Sequence, residues 1–295
     1  MLIITKSITQ NTRGYKTMAN MNMRFPGGRP KTLTLSYDDG VEQDVKLIEI
    51  AQKYGLKGTF NLNSGCYPPE DVTYEPGTIH RRMPKSRVTE VYKDCGWEIA
   101  AHGYTHPSLV GLPANICIKE ILRDRKDLEE QFGTIVRGFA YPYGAYDDAS
   151  ADALRSCGIC YARTVEATHD YHLPKDWLRL PATCHHNDPK LMELTRKFVE
   201  VDGWWDPMFF YLWGHSYEFE ACNNWEVIEE FARLAGGRDD IWYATNIEIY
   251  DYCHAFSQLI FNTDMTMCTN PTAVDIWFAY GDKDVFVPAG KTVEF

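Results

Sequence analysis

The sequence predicts an α/β protein in which short strands alternate with amphipathic helices to build a mostly parallel sheet or barrel, followed by a small β appendage. Three observations lead there. From Lys31 onward, apolar β-prone runs alternate with helical patterns. The length, 295 residues, suits one large α/β barrel or two modest domains. The composition, 44% hydrophobic and 24% charged, is that of a globular chain with a sizeable core, and it excludes disorder, collagen-like repeats and coiled coil.

Strand candidates cover residues 32–36, 58–61, 97–101, 138–140, 160–164, 208–213 and 241–244. Helix candidates lie between them at 42–54, 114–132, 147–156, 189–201, 224–234 and 246–256. In the second helix Ile118, Ile121, Leu122, Leu128 and Phe132 fall mostly at three- and four-residue steps with charges between, which places it on the outside of the sheet or barrel. Residues 66–87 carry Pro68, Pro69, Pro76, Gly77 and Pro84 and read as a long loop, a kind of segment that is often functional in compact domains. In the tail, residues 273–280 and 285–287 flank Gly281-Asp282-Lys283-Asp284, and Ala289-Gly290 precedes 291–295, the pattern of a small β appendage. No internal repeat or low-complexity tract is visible.

Lys and Arg number 30 against 41 Asp and Glu, a formal charge of −11, so a nucleic-acid partner is not expected. The 8 Trp and 18 Tyr supply rings of the kind that line sugar sites, although core packing accounts for most such residues. Nine cysteines at irregular spacing leave at least one unpaired in any disulfide scheme and favour a reducing compartment. Cys157 and Cys160 have redox spacing but no second pair, so free thiols are expected. Residues 1–15 lack the apolar core of a secretory signal, and no window approaches the ~20 apolar residues of a membrane span. A cytoplasmic location without a membrane partner is the expectation.

Ligand-type residues gather at four predicted strand ends, where the active sites of barrels sit. Thr34-Leu35-Ser36-Tyr37-Asp38-Asp39-Gly40 ends in two carboxylates and a glycine; a strand-to-helix turn with one Asp as cap is the plain alternative. His102-Gly103-Tyr104-Thr105-His106 follows the next such strand, and two imidazoles four residues apart plus one carboxylate make a His₂Asp set with open coordination positions. Two unrelated surface histidines are the default for an isolated motif of this spacing. Phe139-Ala140-Tyr141-Pro142-Tyr143-Gly144 is a turn able to release backbone amides toward an oxyanion, or simply an aromatic Pro-Gly turn. Leu212-Trp213-Gly214-His215-Ser216 places a histidine just past an apolar strand, where a satisfied core histidine is equally at home. Convergence on one rim carries the argument.

In these motifs and their order the chain resembles the polysaccharide deacetylases of carbohydrate esterase family 4, over roughly Pro30 to His254. The counterparts are Tyr37–Gly40 for a Thr-Phe-Asp-Asp-Gly-like motif, His102–His106 for His-(Ser/Thr)-x-x-His, Ala140–Gly144 for Arg-Pro-Pro-Tyr-Gly, Asp176-Trp177 for Asp-Trp, and Leu212–His215 for Leu-x-x-His. The resemblance implies a distorted (β/α) barrel over residues 1–260 with a β extension over 261–295. It also implies a divalent metal, most often zinc with Co²⁺, Ni²⁺ or Mn²⁺ as alternatives, on Asp39, His102 and His106. Asp38 would be the general base, His215 the general acid, and the Tyr143 N–H an oxyanion donor; Tyr141, Pro142 and Trp213 would meet substrate. The implied reaction is hydrolysis of an acyl group from an N- or O-acetylated carbohydrate. Relatives that open cyclic amides or remove formyl groups supply a second reading, and a non-catalytic sugar-binding module a third.

One position departs from the family pattern: its motif Arg, which orients the base, falls on Ala140. Arg163, at the end of the next predicted strand, is the candidate replacement, weighed evenly against an ordinary surface Arg. Asp176 is a candidate support residue behind the site, on an incomplete match. His185-His186 lies on a segment expected to be extended, where neighbouring side chains point to opposite sides and at most one approaches the site. Trp204, Trp205 and Tyr217 are further candidates for stacking on a sugar, with Trp213 as readily a core residue.

Overall fold

The computed structural model describes residues 21–203 and 205–295. Its centre is a nearly closed parallel barrel. The strands are β1 (Met21–Arg24), β2 (Lys31–Asp38), β3 (Gly58–Leu62), β4 (Glu98–Ala101), β5 (Gly138–Ala140), β6 (Tyr161–Ala167), β7 (Leu180–Ala182), β8 (Cys184–His185), β9 (Met208–Gly214) and β10 (Ile241–Tyr243). Every residue of β2 is buried. Along residues 31–37 it pairs with β9, while its other edge is shared by β10 near the start and β3 near the end. From β3 the parallel order runs through β4, β5 and β6.

The ring is completed by residues 180–185, absent from the predicted strands. β7 pairs with β6, and β8 pairs with β9, so one short stretch bridges both edges. The distortion has two local causes. β5 is three residues long and meets β4 at the single pair Ala101↔Phe139, and the β6–β7 register shifts between Arg163 and Ala167.

The helices are α1 (Asp44–Lys53), α2 (Lys85–Tyr92), α3 (Ala114–Phe132), α4 (Asp148–Ser156), α5 (Leu191–Glu200), α6 (Tyr217–Ala221), α7 (Glu226–Ala235) and α8 (Asn246–Ser257). All six predicted helices are present; α2 and α6 are additional. α3 buries Cys117, Ile121, Asp124 and Leu128, and Leu122 faces solvent instead of the core. The long loop is shortened at its end by α2, whose first residue, Lys85, follows Pro84 in the cap position.

Beyond the barrel lie β11 (Ile260–Phe261), β12 (Met267–Thr269), β13 (Ile276–Tyr280), β14 (Lys283–Val287) and β15 (Thr292–Glu294). The β13–β14 hairpin takes β1, from the other end of the chain, as its third strand, and β11, β12 and β15 form a second sheet. Cys268, Phe278, Val285 and Val287 pack as the core between them. All nine cysteines are free, and among the described residues no helix is long and apolar enough to cross a membrane.

Candidate active site and metal centre

The C-terminal ends of β2, β4, β5, β6 and β9 open on one cavity of about 540 Å³. Its lining contains every predicted site residue except Pro142 and Asp176. A larger depression of about 660 Å³ lies by the starts of β3 and β4, where Glu98 is engaged by Thr59, Tyr161 and the Ile247 N–H. Chemistry, not size, distinguishes the rim cavity.

Asp38 sits at its floor, 1% exposed. One carboxylate oxygen accepts from Asn61 Nδ2 at 2.8 Å and the other from Arg163 Nη2 at 2.6 Å. Burial pushes the Asp38 carboxyl up, yet the Arg163 guanidinium and the His102 and His215 rings outweigh it and hold the group below the ordinary carboxylate range. Arg163 is therefore no surface residue: it is 1% exposed and stacks on the Trp213 ring at 4.3 Å. The register explains how it reaches Asp38. Arg163 is the direct β6 partner of Ala140 on β5, so its side chain leaves the sheet beside the position where the family Arg would stand.

The donor set Asp39, His102 and His106 offers one atom each, all within 4.8 Å of one another. His102 Nδ1 lies 2.7 Å from the Ala140 carbonyl oxygen, an acceptor, so that nitrogen carries the proton. Burial drives the His102 pKa down to about 4 against the pull of Asp38 and Asp39, which keeps the ring neutral and its Nε2 a bare lone pair. That Nε2 faces His106 Nε2 at 3.2 Å. Two such nitrogens beside an ionised carboxylate fit a divalent cation of the zinc type.

Asp39 is held in turn by Arg82, which donates to Oδ1 at 2.5 Å and to the Asp39 carbonyl oxygen at 3.0 Å, with His80 Nε2 at 3.2 Å from Oδ2. Burial opposes ionisation, but the His80 contact and the Arg82 cation keep the carboxyl well below its usual range. Asp39, His106 and Tyr143 all have positive φ (82°, 57° and 60°), three of the six non-glycine residues that do so among those described. Strained backbone of this kind clusters where a fold must present groups at fixed angles.

On the opposite wall His215 Nε2 lies 3.7 Å from Asp38 Oδ2 and its Nδ1 lies 3.3 Å from Glu218 Oε1. Burial lowers its pKa, but Glu218, Asp38 and Asp39 together raise it above the ordinary histidine value. Tyr143 is 70% exposed, edge-on to the His106 ring at 4.7 Å. Gly144 N and Ala145 N are taken by Tyr141 O and Pro142 O, and no backbone bond takes the Tyr143 N–H. The Tyr141 hydroxyl donates to Leu178 O, and Trp213 is 8% exposed.

Asp176 is not brought to this site. Its carboxylate caps the Leu178 N–H and pairs with Arg179, beside Trp177 and Tyr250. The reading of His185-His186 also changes. β8 ends at His185 and the chain turns at His186, so both rings swing to Glu218 rather than to opposite faces. Trp205 is exposed, Tyr217 lines the cavity, and Trp204 lies outside the described residues. The residues missed from sequence are Asn61, His80, Arg82 and Glu218. His80 and Arg82 lie in the long loop flagged by its prolines, the one signal that pointed to them.

Residues 26–162 match the family model for polysaccharide deacetylase, a segment that holds Asp38, Asp39, His102, His106 and Tyr143. Among solved structures, a protein from Mycobacterium smegmatis described as a polysaccharide deacetylase is 18% identical over 80% of this chain and 94% of its own, with a TM-score of 0.56. A family 4 carbohydrate esterase from Streptomyces lividans in complex with acetate is 15% identical over 69% of this chain and 86% of its own, with a TM-score of 0.46. No curated protein matches the chain. The fold is the deacetylase (β/α) barrel, and residues 26–162 match the polysaccharide deacetylase family.

Proposed function

We propose that this protein is a metal-dependent hydrolase that removes an acetyl group from an N- or O-acetylated carbohydrate. The observation that carries the reading is the buried Arg163–Asp38 pair set beside the Asp39, His102 and His106 donors in one cavity. A divalent ion bound there supplies Lewis acidity, polarising the scissile carbonyl and acidifying water. Asp38, kept ionised by Arg163, takes the proton of the attacking water. The Tyr143 N–H receives the charge that develops on the carbonyl oxygen. His215, its pKa raised by Glu218, Asp38 and Asp39, delivers a proton to the departing amine or alkoxide, so that acetate and the free sugar result. Tyr143 and Trp213, at the cavity walls, offer faces to the sugar ring.

The experiment is elemental metal analysis followed by an acetate-release screen on acetylated amino sugars, sugar esters and cyclic amides. Acetate release that disappears with chelation and returns with Zn²⁺ or Co²⁺ is expected. Turnover of cyclic amides alone would replace the carbohydrate substrate, and metal-independent acetate release would remove the metal from the mechanism.

A further inference from the structure

On the Nδ1 side of His215, three imidazoles surround one carboxylate. His185 Nε2 and His186 Nε2 lie 3.1 and 2.9 Å from the same oxygen of Glu218, and His215 Nδ1 lies 3.3 Å from the other. A hydrogen-bonded clamp aligns each N–H with its acceptor. Here His186 Nε2 and His215 Nδ1 are buried atoms with no hydrogen-bond partner despite those short separations. The Glu218 oxygens thus stand within reach of both rings without closing a well-aligned hydrogen bond to either of these two atoms. Ligands of a single ion stand in this relation: with bonds near 2.0–2.2 Å to a tetrahedral zinc, neighbouring ligand atoms sit roughly 3.3 Å apart, each aimed at the ion.

We propose that His185, His186 and Glu218 form a second divalent metal site of the His₂Glu type, with a preference for zinc, behind the cavity wall that His215 forms. The three donor atoms lie within 4.8 Å of one another. His186 is 1% exposed, and its Nδ1 stands 3.3 Å from the Tyr37 hydroxyl, leaving Nε2 as the atom that faces the site. Glu218 supplies the carboxylate oxygen that both His185 Nε2 and His186 Nε2 approach. His185 and Glu218 are partly exposed, which gives an ion a path in and water a place to complete its shell; binding through Nε2 moves the His185 proton to Nδ1 and ends the hydrogen bond that Nδ1 accepts from the Asn187 N–H. An ion here fixes Glu218 and, through its other oxygen, the face of His215 turned away from Asp38. This site is distinct from the Asp39, His102 and His106 centre and does not depend on it.

The test is metal stoichiometry of the full chain, stripped with chelator and equilibrated by dialysis against Zn²⁺ or Co²⁺. Two equivalents are expected in the wild type, and one each in His106→Ala and His185→Gln. Glu218→Gln, which preserves shape, should also hold one, and circular dichroism confirms that each variant is folded. A single wild-type equivalent that vanishes in His106→Ala and persists in His185→Gln overturns the second site and leaves the proposed function standing. A single equivalent with the reverse dependence keeps the second site and removes the metal centre of the proposed reaction. No uptake by the wild type overturns both.

Discussion

Asp38 is paired with Arg163, the residue directly across the sheet from Ala140, the position where the resembled motif has Arg. Ala140 leaves the family position without a cation, and its β6 partner supplies one from 2.6 Å. The candidates on the strand ends were legible because ligand-type residues directly follow apolar runs. Arg82 and His80 were not, since their loop has no periodicity and their place depends on a pairing, Val41↔Arg82, that no local pattern announces. Asp176 failed because a match of two residues carries no geometric constraint. Two predictions belong at this scale. Asp38→Asn should abolish acetate release while leaving metal content unchanged, because it removes the proton acceptor and none of the three donors; loss of metal along with activity would place Asp38 among the ligands. Arg163→Lys keeps a charge but loses the rigid fork and its stacking on Trp213. Arg163 lowers the Asp38 pKa, so weakening it must raise that pKa. The acidic limb of the kcat/KM profile should therefore move to higher pH, with a lower plateau. An unchanged profile would mean that Asn61 alone orients the base.

Elements set the angles at which those residues arrive. The loop after β5 presents the Tyr143 amide through left-handed backbone at Tyr143 and Gly144, where φ is 60° and 69°. Gly144 has no room for a side chain: a Cβ there would stand 2.3 to 2.8 Å from Val165 on β6. Gly144→Ala should push the loop off the rim, lowering kcat/KM by a factor of ten or so, the cost of roughly 1.4 kcal/mol of lost transition-state stabilisation, with metal stoichiometry preserved. Activity equal to wild type would show that the loop takes no part in the chemistry. The start of α8 offers a contrast. Thr245 and Glu248 form a reciprocal capping box, Thr245 Oγ1 accepting from the Glu248 N–H and Glu248 from the Thr245 N–H. Thr245→Ala should cost about 1 kcal/mol of stability by denaturant titration and leave kcat/KM unchanged, since α8 lies outside the cavity. The helices were readable from their period, whereas β7 and β8, three and two residues long, are too short to show one.

For the molecule as a whole, the barrel was legible in its alternation, but its closure was not. Residues 180–185 join β6 to β9, and β1 crosses the entire sequence to reach β13; both pairings are set by tertiary packing alone. Folding also encloses charge-capable groups that the unfolded chain leaves in water, and their balance sets the stability profile. Burial raises Asp44, Glu98 and Asp124 to about 7 and lowers His102 and His186 to about 4. A carboxyl with a raised pKa holds a proton in the folded state that the unfolded chain has released, so it makes stability fall as pH rises from its unfolded pKa toward 7. A histidine with a lowered pKa does the opposite between about 4 and its unfolded value near 6.5. The two sets oppose each other over most of that window, so the overall profile hides both. A variant remote from the rim separates them. Glu98 accepts from Thr59, Tyr161 and the Ile247 N–H near the start of β4, and no residue of the candidate site touches it. Glu98→Gln removes its titration, leaving only an offset that does not vary with pH. The stability of the wild type relative to Glu98→Gln, from urea unfolding at a series of pH values, should fall between about pH 4 and 7 by at most ~1.4 kcal/mol per pH unit and level off above. A difference that stays flat from pH 4 to pH 8 would mean that Glu98 titrates as it does in the unfolded chain, and that its enclosure beneath the barrel carries no proton.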